Sequence, residues 1–172
     1  MSSFFRKIFG SLLLVLLFGL SSLAQDKQPP QPDLPRIAGT WKLNIAKSKF
    51  NPGPPPKSLT IIWEWVGDGL KHTEEGVSSQ GERTSAQFTA KFDGKIYAVF
   101  DPAGGKTPAR YVRLKKIDAY SFESTSVKDG KDLSTYRHVI SKDGKTDTIT
   151  QVGKDPLEKG SSVTNVLVYD RQ

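Results

Sequence analysis

From residue 38 onward, hydrophobic and polar positions alternate with a period of two. Leu59, Ile61, Trp63 and Trp65 form one alternating run, closed by Gly67-Asp68-Gly69. Leu70 to Val77 continues as a more polar run. Phe88, Ala90 and Phe92 alternate up to Asp93-Gly94, and Ile96, Ala98 and Phe100 resume beyond it. Tyr111–Ile117, Tyr120–Val127, Leu133–Ser141, Thr146–Val152 and Ser162–Arg171 follow, rich in Thr, Val, Ile, Tyr and Phe. In the last run Val163, Asn165, Leu167, Tyr169 and Arg171 share one face. This is the pattern of half-buried strands, and no segment in this region spaces its apolar residues by three and four as a helix would.

The turns between these runs repeat one chemistry. Asp93-Gly94, Asp129-Gly130 and Asp143-Gly144 each precede a lysine. A type I′ hairpin needs positive φ at both central residues, which Asp-Gly tolerates; Asp93-Gly94, flanked by two clean alternations, is the strongest such signal. The expected fold is all-β, an antiparallel up-and-down β-barrel of about eight to ten strands, with a sandwich as the other option. Consecutive hairpins favour the barrel, because closure removes exposed edges. Ile62 and Val66, opposite Trp63 and Trp65, suit a wall with a lined interior and a partly covered exterior.

The first 37 residues change the picture of what folds. Arg6 and Lys7 precede an apolar run from Ile8 to Leu20, and Ser22-Leu23-Ala24 supplies small residues at a cleavage site. This is the layout of a secretory signal peptide, residues 1–24, cut after Ala24. The run is shorter than the roughly 20 residues that span a bilayer. Residues 25–37, with Pro29, Pro30, Pro32 and Pro35, read as a proline-rich linker. Residues 38–172 form the barrel domain. The chain has no cysteine, so neither a disulfide scaffold nor a lipid anchor on cysteine is available to it. The formal charge of +7 includes Arg6 and Lys7, so cleavage leaves +5. Acidic and basic residues are interspersed, which argues for a solvated surface over a nucleic-acid face.

Gly39-Thr40-Trp41, at the start of the first strand, resembles the signature that opens lipocalin and wider calycin barrels. The resemblance implies that Trp41 closes the barrel floor and that Arg171, on the last strand, packs across its ring. A nearer likeness is to a set of uncharacterised exported bacterial proteins. It rests on Gly39–Asn44, Ala46–Phe50, Pro52–Pro54, Lys91–Lys95 and Asn165–Tyr169, and so spans nearly the whole domain. It implies an exported lipocalin-like barrel in the periplasm or outside the cell, and no particular activity. Gly39, Trp41 and Arg171 are structural residues on this reading.

Candidate chemistry is sparse. His72 and His138 are the only histidines. His72 and Glu74 fall on one strand face, with Glu75 adjacent; a polar solvent-facing strand accounts for them as well as an acid–base pair does. No third metal ligand is identifiable, so no metal and no cofactor is expected. No serine sits in a Gly-x-Ser-x-Gly elbow, and no phosphate-cradling Gly-x-x-x-x-Gly-Lys run is present. Aromatic residues are spread over most strands, which fits either a filled core or an apolar cavity. The leading expectation is a monomeric, non-enzymatic exported barrel that binds a small, mostly hydrophobic ligand through Trp63, Trp65, Phe88, Tyr111, Tyr136 and His138. A filled barrel acting as an envelope protein- or glycan-interaction module is the second reading. A hydrolase or isomerase using His72 with Glu74 or Glu75 is the third. Neither nucleic acid nor a stable membrane anchor is expected as a partner.

Overall fold

The computed structural model describes residues 34–102, 106–154 and 162–172. The expected signal peptide and most of the expected linker lie outside them. Ten strands make up the barrel: β1 Gly39–Leu43, β2 Ser58–Val66, β3 Gly69–Val77, β4 Arg83–Ala90, β5 Tyr97–Val99, β6 Arg110–Lys116, β7 Ser121–Lys128, β8 Lys131–Ile140, β9 Thr146–Lys154 and β10 Ser162–Arg171. They form one antiparallel sheet in the order β4-β3-β2-β1-β10-β9-β8-β7-β6-β5. Strands consecutive in the chain are therefore neighbours in space, and β1 also pairs with β10, Trp41 standing opposite Ile61 on one side and Arg171 on the other. The exception is β4 with β5, joined only by the Gln87–Phe100 bridge and its two hydrogen bonds of 2.8 and 2.9 Å. The sheet is an up-and-down barrel, nearly closed, with its seam between β4 and β5.

The seam falls where the sequence carries its strongest hairpin signal. Gly94 has a φ of 74°, but Asp93 stays out of the positive region, so the type I′ turn expected there is not made. The Asp93 carboxylate instead accepts from Lys95 N at 3.0 Å and from the Tyr97 hydroxyl at 2.9 Å. These bonds make a compact local loop ahead of a strand of only three residues. The type I′ turn is at Asp129-Gly130, with φ of 51° and 72°, linking β7 to β8.

One end of the barrel is sealed. Trp41 is buried, and its indole N–H donates to the Ile37 carbonyl at 2.7 Å. The Arg171 guanidinium lies 4.3 Å from the Trp41 ring centroid and donates to the carbonyls of Gly144, Ala38 and Arg36. Gly39 accommodates it: a methyl group at Gly39 would stand 2.5 Å from Arg171 Nη1. Pro35 and Ile37 are fully buried, and Arg36 N donates to Ala119 O at 3.0 Å. The last residues assigned to the linker are thus part of the packed plug, because Ile37 is buried in the core and its carbonyl holds the Trp41 indole.

Candidate functional site

The opposite end is open. Alternation along the strands sends one row of side chains inward, and the rows leave a cavity of about 530 Å³. Its mouth is framed by Phe50, Pro52, Gly53, Pro54, Pro56 and the β3–β4 turn at Ser78–Gln80. The proline-rich segment is held there by β10: Lys49 bridges Val166, Thr164 N donates to Asn51 O, and Asn51 N donates to Asn165 Oδ1 at 2.7 Å.

Below the mouth runs a polar belt. Tyr136, Gln151 and Asn165 stand side by side on β8, β9 and β10. Gln151 Nε2 donates to the Tyr136 hydroxyl at 3.2 Å, and Asn165 Nδ2 donates to Gln151 Oε1 at 2.9 Å. Ser124, Ser126, Glu74 and Arg110 also line the cavity. Deeper lies an aromatic cluster centred on Trp63, which is 3% exposed. It touches His72 (ring centroids 4.3 Å apart), Phe88 (5.9 Å), Phe122 (5.8 Å) and His138 (5.9 Å). Each histidine is also stacked on a phenylalanine: His72 on Phe88 at 4.7 Å and 15°, His138 on Phe122 at 4.1 Å and 9°.

Each histidine faces one carboxylate. His72 Nε2 is 3.7 Å from Glu74 Oε2. Burial holds His72 below its ordinary pKa, against the opposing pull of Glu74, so the ring is neutral near pH 7. Burial alone would raise Glu74, but the contact with His72 and the charge of Arg110 outweigh it and lower its carboxyl. The pair is therefore a neutral imidazole beside a carboxylate. His138 Nδ1 lies 2.9 Å from Asp147 Oδ2, both side chains being almost fully buried. Burial, with Glu74 and Asp147 nearby, pushes the Tyr169 phenol well above its ordinary value, so it stays protonated.

Of the six residues expected to contact a ligand, Trp63, Phe88, Tyr111, Tyr136 and His138 line this cavity. Trp65 does not. It points inward one pleat nearer the sealed end and packs on Phe92, 6.1 Å between centroids. Tyr111 alternates with buried Val112 and Leu114, is 40% exposed, and meets the cavity from the outer pleat. Glu75 faces solvent, away from His72. Asp147, Gln151, Asn165 and Arg110 were not singled out from the sequence. Each is an inward position of a strand, but only the sheet register shows which side chains it meets. Among the described residues, no group of three or more His, Cys, Asp or Glu could hold a metal ion, and no helix is long and apolar enough to cross a membrane.

Fold and site together define an up-and-down β-barrel plugged at one end and open at the other, with an aromatic and polar lumen. Comparison with protein-family models gave no match, and comparison with curated proteins gave no similar sequence.

Proposed function

We propose that this chain is an exported, monomeric, lipocalin-like barrel that binds a small, mostly apolar molecule in its lumen without transforming it. The observation that carries this reading is the 530 Å³ cavity inside the barrel. Its size falls in the range of roughly 300–1,000 Å³ common to small-molecule sites. Its walls combine an aromatic cluster with a few fixed polar groups, the usual composition of such sites. In the second reading, a filled barrel, side chains would occupy this space.

The test uses Trp63, which lines the cavity, as an internal reporter. An apolar fluorescent probe, N-phenyl-1-naphthylamine, is titrated into the mature protein. Saturable one-to-one binding with quenching of tryptophan emission is expected. Leu167→Trp, which fills the lumen from β10, abolishes it while circular dichroism stays native. Equal binding by the variant would place the probe elsewhere and sink the lumen reading. Intact mass of the exported protein tests cleavage after Ala24.

One observation favours the catalytic alternative: His72 and Glu74 share the cavity wall at 3.7 Å. That arrangement would suit proton transfer to or from a bound molecule. Turnover of a lumen-bound compound that is lost in Glu74→Gln, with binding retained, would establish it.

A further inference from the structure

His138 stands in the cavity wall on β8, flanked across the sheet by Phe122 and Ile149. Asp147 is buried and does not line the cavity; it stands on the same inward face as Ile149, one pleat nearer the plugged end, and meets the ring from that side. A carboxylate offers only lone pairs. In the neutral imidazole the proton therefore sits on Nδ1, facing Asp147 Oδ2 at 2.9 Å, and Nε2 keeps its lone pair. Nε2 has no protein partner among the described residues. Among the described residues, the partnerless side-chain atoms closed off from solvent are His72 Nδ1, Ser126 Oγ and Asp147 Oδ1; His138 Nε2 is not one of them and keeps a solvent-accessible face in the cavity wall. Stacking on Phe122 and an edge contact with Trp63 fix the ring plane. The result is an aimed hydrogen-bond acceptor in an aromatic wall.

The other polar groups that line the lumen are sealed from it, bonded to one another or in reach of water: His72 Nδ1 and Ser126 Oγ are partnerless but closed off from solvent. Tyr136, Gln151 and Asn165 bond to one another. Glu74, with its side chain 22% exposed, keeps access to water, whereas the His138 side chain is only 4% exposed. Glu74 and Arg110 carry opposite charges within the lining, and the remaining charged group, Glu82, is exposed at the mouth, so the deep cavity does not call for a charged ligand.

Building on the lumen-binding reading, we propose that the ligand is a flat, uncharged hydroxyaromatic molecule of the phenol or naphthol class. Its hydroxyl donates to His138 Nε2 and its ring lies against the aromatic wall. A buried acceptor left unpaired costs free energy, so a ligand of the same shape without the donor binds less well.

The test compares two probes of nearly the same shape, 2-naphthol and 2-methylnaphthalene, by calorimetry on the mature protein. At least about tenfold tighter binding of 2-naphthol is expected. His138→Phe removes the acceptor and abolishes the preference. Asp147→Asn covers the case in which that variant fails to fold. Its amide donates to Nδ1, moves the proton to Nε2 and turns the acceptor into a donor, so the preference falls here too. Equal affinities in the wild type would overturn the hydroxyaromatic assignment and leave lumen binding standing. No binding of either probe would overturn both. A preference that survives in both folded variants would overturn the assignment to His138.

Discussion

The Arg171 guanidinium lies over the Trp41 indole, 4.3 Å from the ring centroid, and ties the last strand to the first. Its Nε and two terminal nitrogens reach the carbonyls of Gly144, Ala38 and Arg36 at 2.6, 2.6 and 2.9 Å. One side chain thus closes the β1–β10 junction, caps the plugged end and satisfies backbone from the β8–β9 turn. The lumen can stay open because this end carries the packing.

Truncating the plug should be costly. Trp41→Ala removes a fully buried indole and is expected to destabilise by about 3–5 kcal/mol. Gly39→Ala places a methyl against Arg171 Nη1 at a φ of 137°, and should cost about 1–3 kcal/mol. Arg171→Lys keeps the charge but cannot aim three donors at once, with an expected loss of about 1–3 kcal/mol. Urea melts measure all three. A Trp41→Ala loss under about 1 kcal/mol would remove Trp41 from the plug.

Most of the strands were legible because a half-buried strand must alternate. Ser162–Arg171 shows this: Val163, Asn165, Leu167, Tyr169 and Arg171, grouped on one face by the pattern, do share a face, and the structure adds that this face is the inward one. Contacts across the sheet were not legible. Asp147 reads as an ordinary strand residue until the β8–β9 register brings it to His138. Trp63 and Trp65 have the same parity, and only their place along β2 relative to the cavity puts one in its wall and the other against Phe92, nearer the sealed end. Asp93-Gly94 misled because its carboxylate found local donors at Lys95 and Tyr97, which a dipeptide rule does not weigh.

Acid should weaken the barrel in two steps. The folded state holds His72 below the ordinary histidine value of 6.5, so the unfolded chain takes up that proton first. The stability tied to neutral His72 is complete above 6.5 and is lost as the pH falls toward its depressed folded value. Glu74 is held below its ordinary 4.5, so its contribution is complete above 4.5 and is lost only in stronger acid. The urea midpoint of the wild type should fall between about pH 7 and about pH 5, and His72→Gln should flatten that fall. The same slope in both proteins would show that His72 does not carry it.

The seam should be the first part of the wall to open. β4 and β5 share only the Gln87 and Phe100 hydrogen bonds, whereas β9 and β10 pair along nine registered positions from Ser162 to Asp170. Local opening free energy follows the number of contacts that must break together. Amide hydrogen exchange at Phe100 and along Tyr97–Val99 is expected to outpace that at Val166–Tyr169 by orders of magnitude. Uniform protection around the barrel would mean that the seam is as strong as the ladders.

Asn165 couples the lumen to its mouth. Its Oδ1 accepts from Asn51 N at 2.7 Å, at the start of the proline-rich segment, while its Nδ2 donates to Gln151 Oε1 at 2.9 Å. Asn165→Ala breaks both bonds and strands one part-buried and one buried group, at an expected cost of about 1–3 kcal/mol. Asn165→Asp separates the two effects. A carboxylate still accepts from Asn51 N but cannot donate to Gln151. The Asn51 amide should therefore remain protected from exchange in Asn165→Asp and lose protection in Asn165→Ala, and apolar probes should enter faster only in the alanine variant. Unchanged protection of Asn51 in Asn165→Ala would mean that the Lys49–Val166 bridge and the Thr164 bond to Asn51 O hold the mouth by backbone alone.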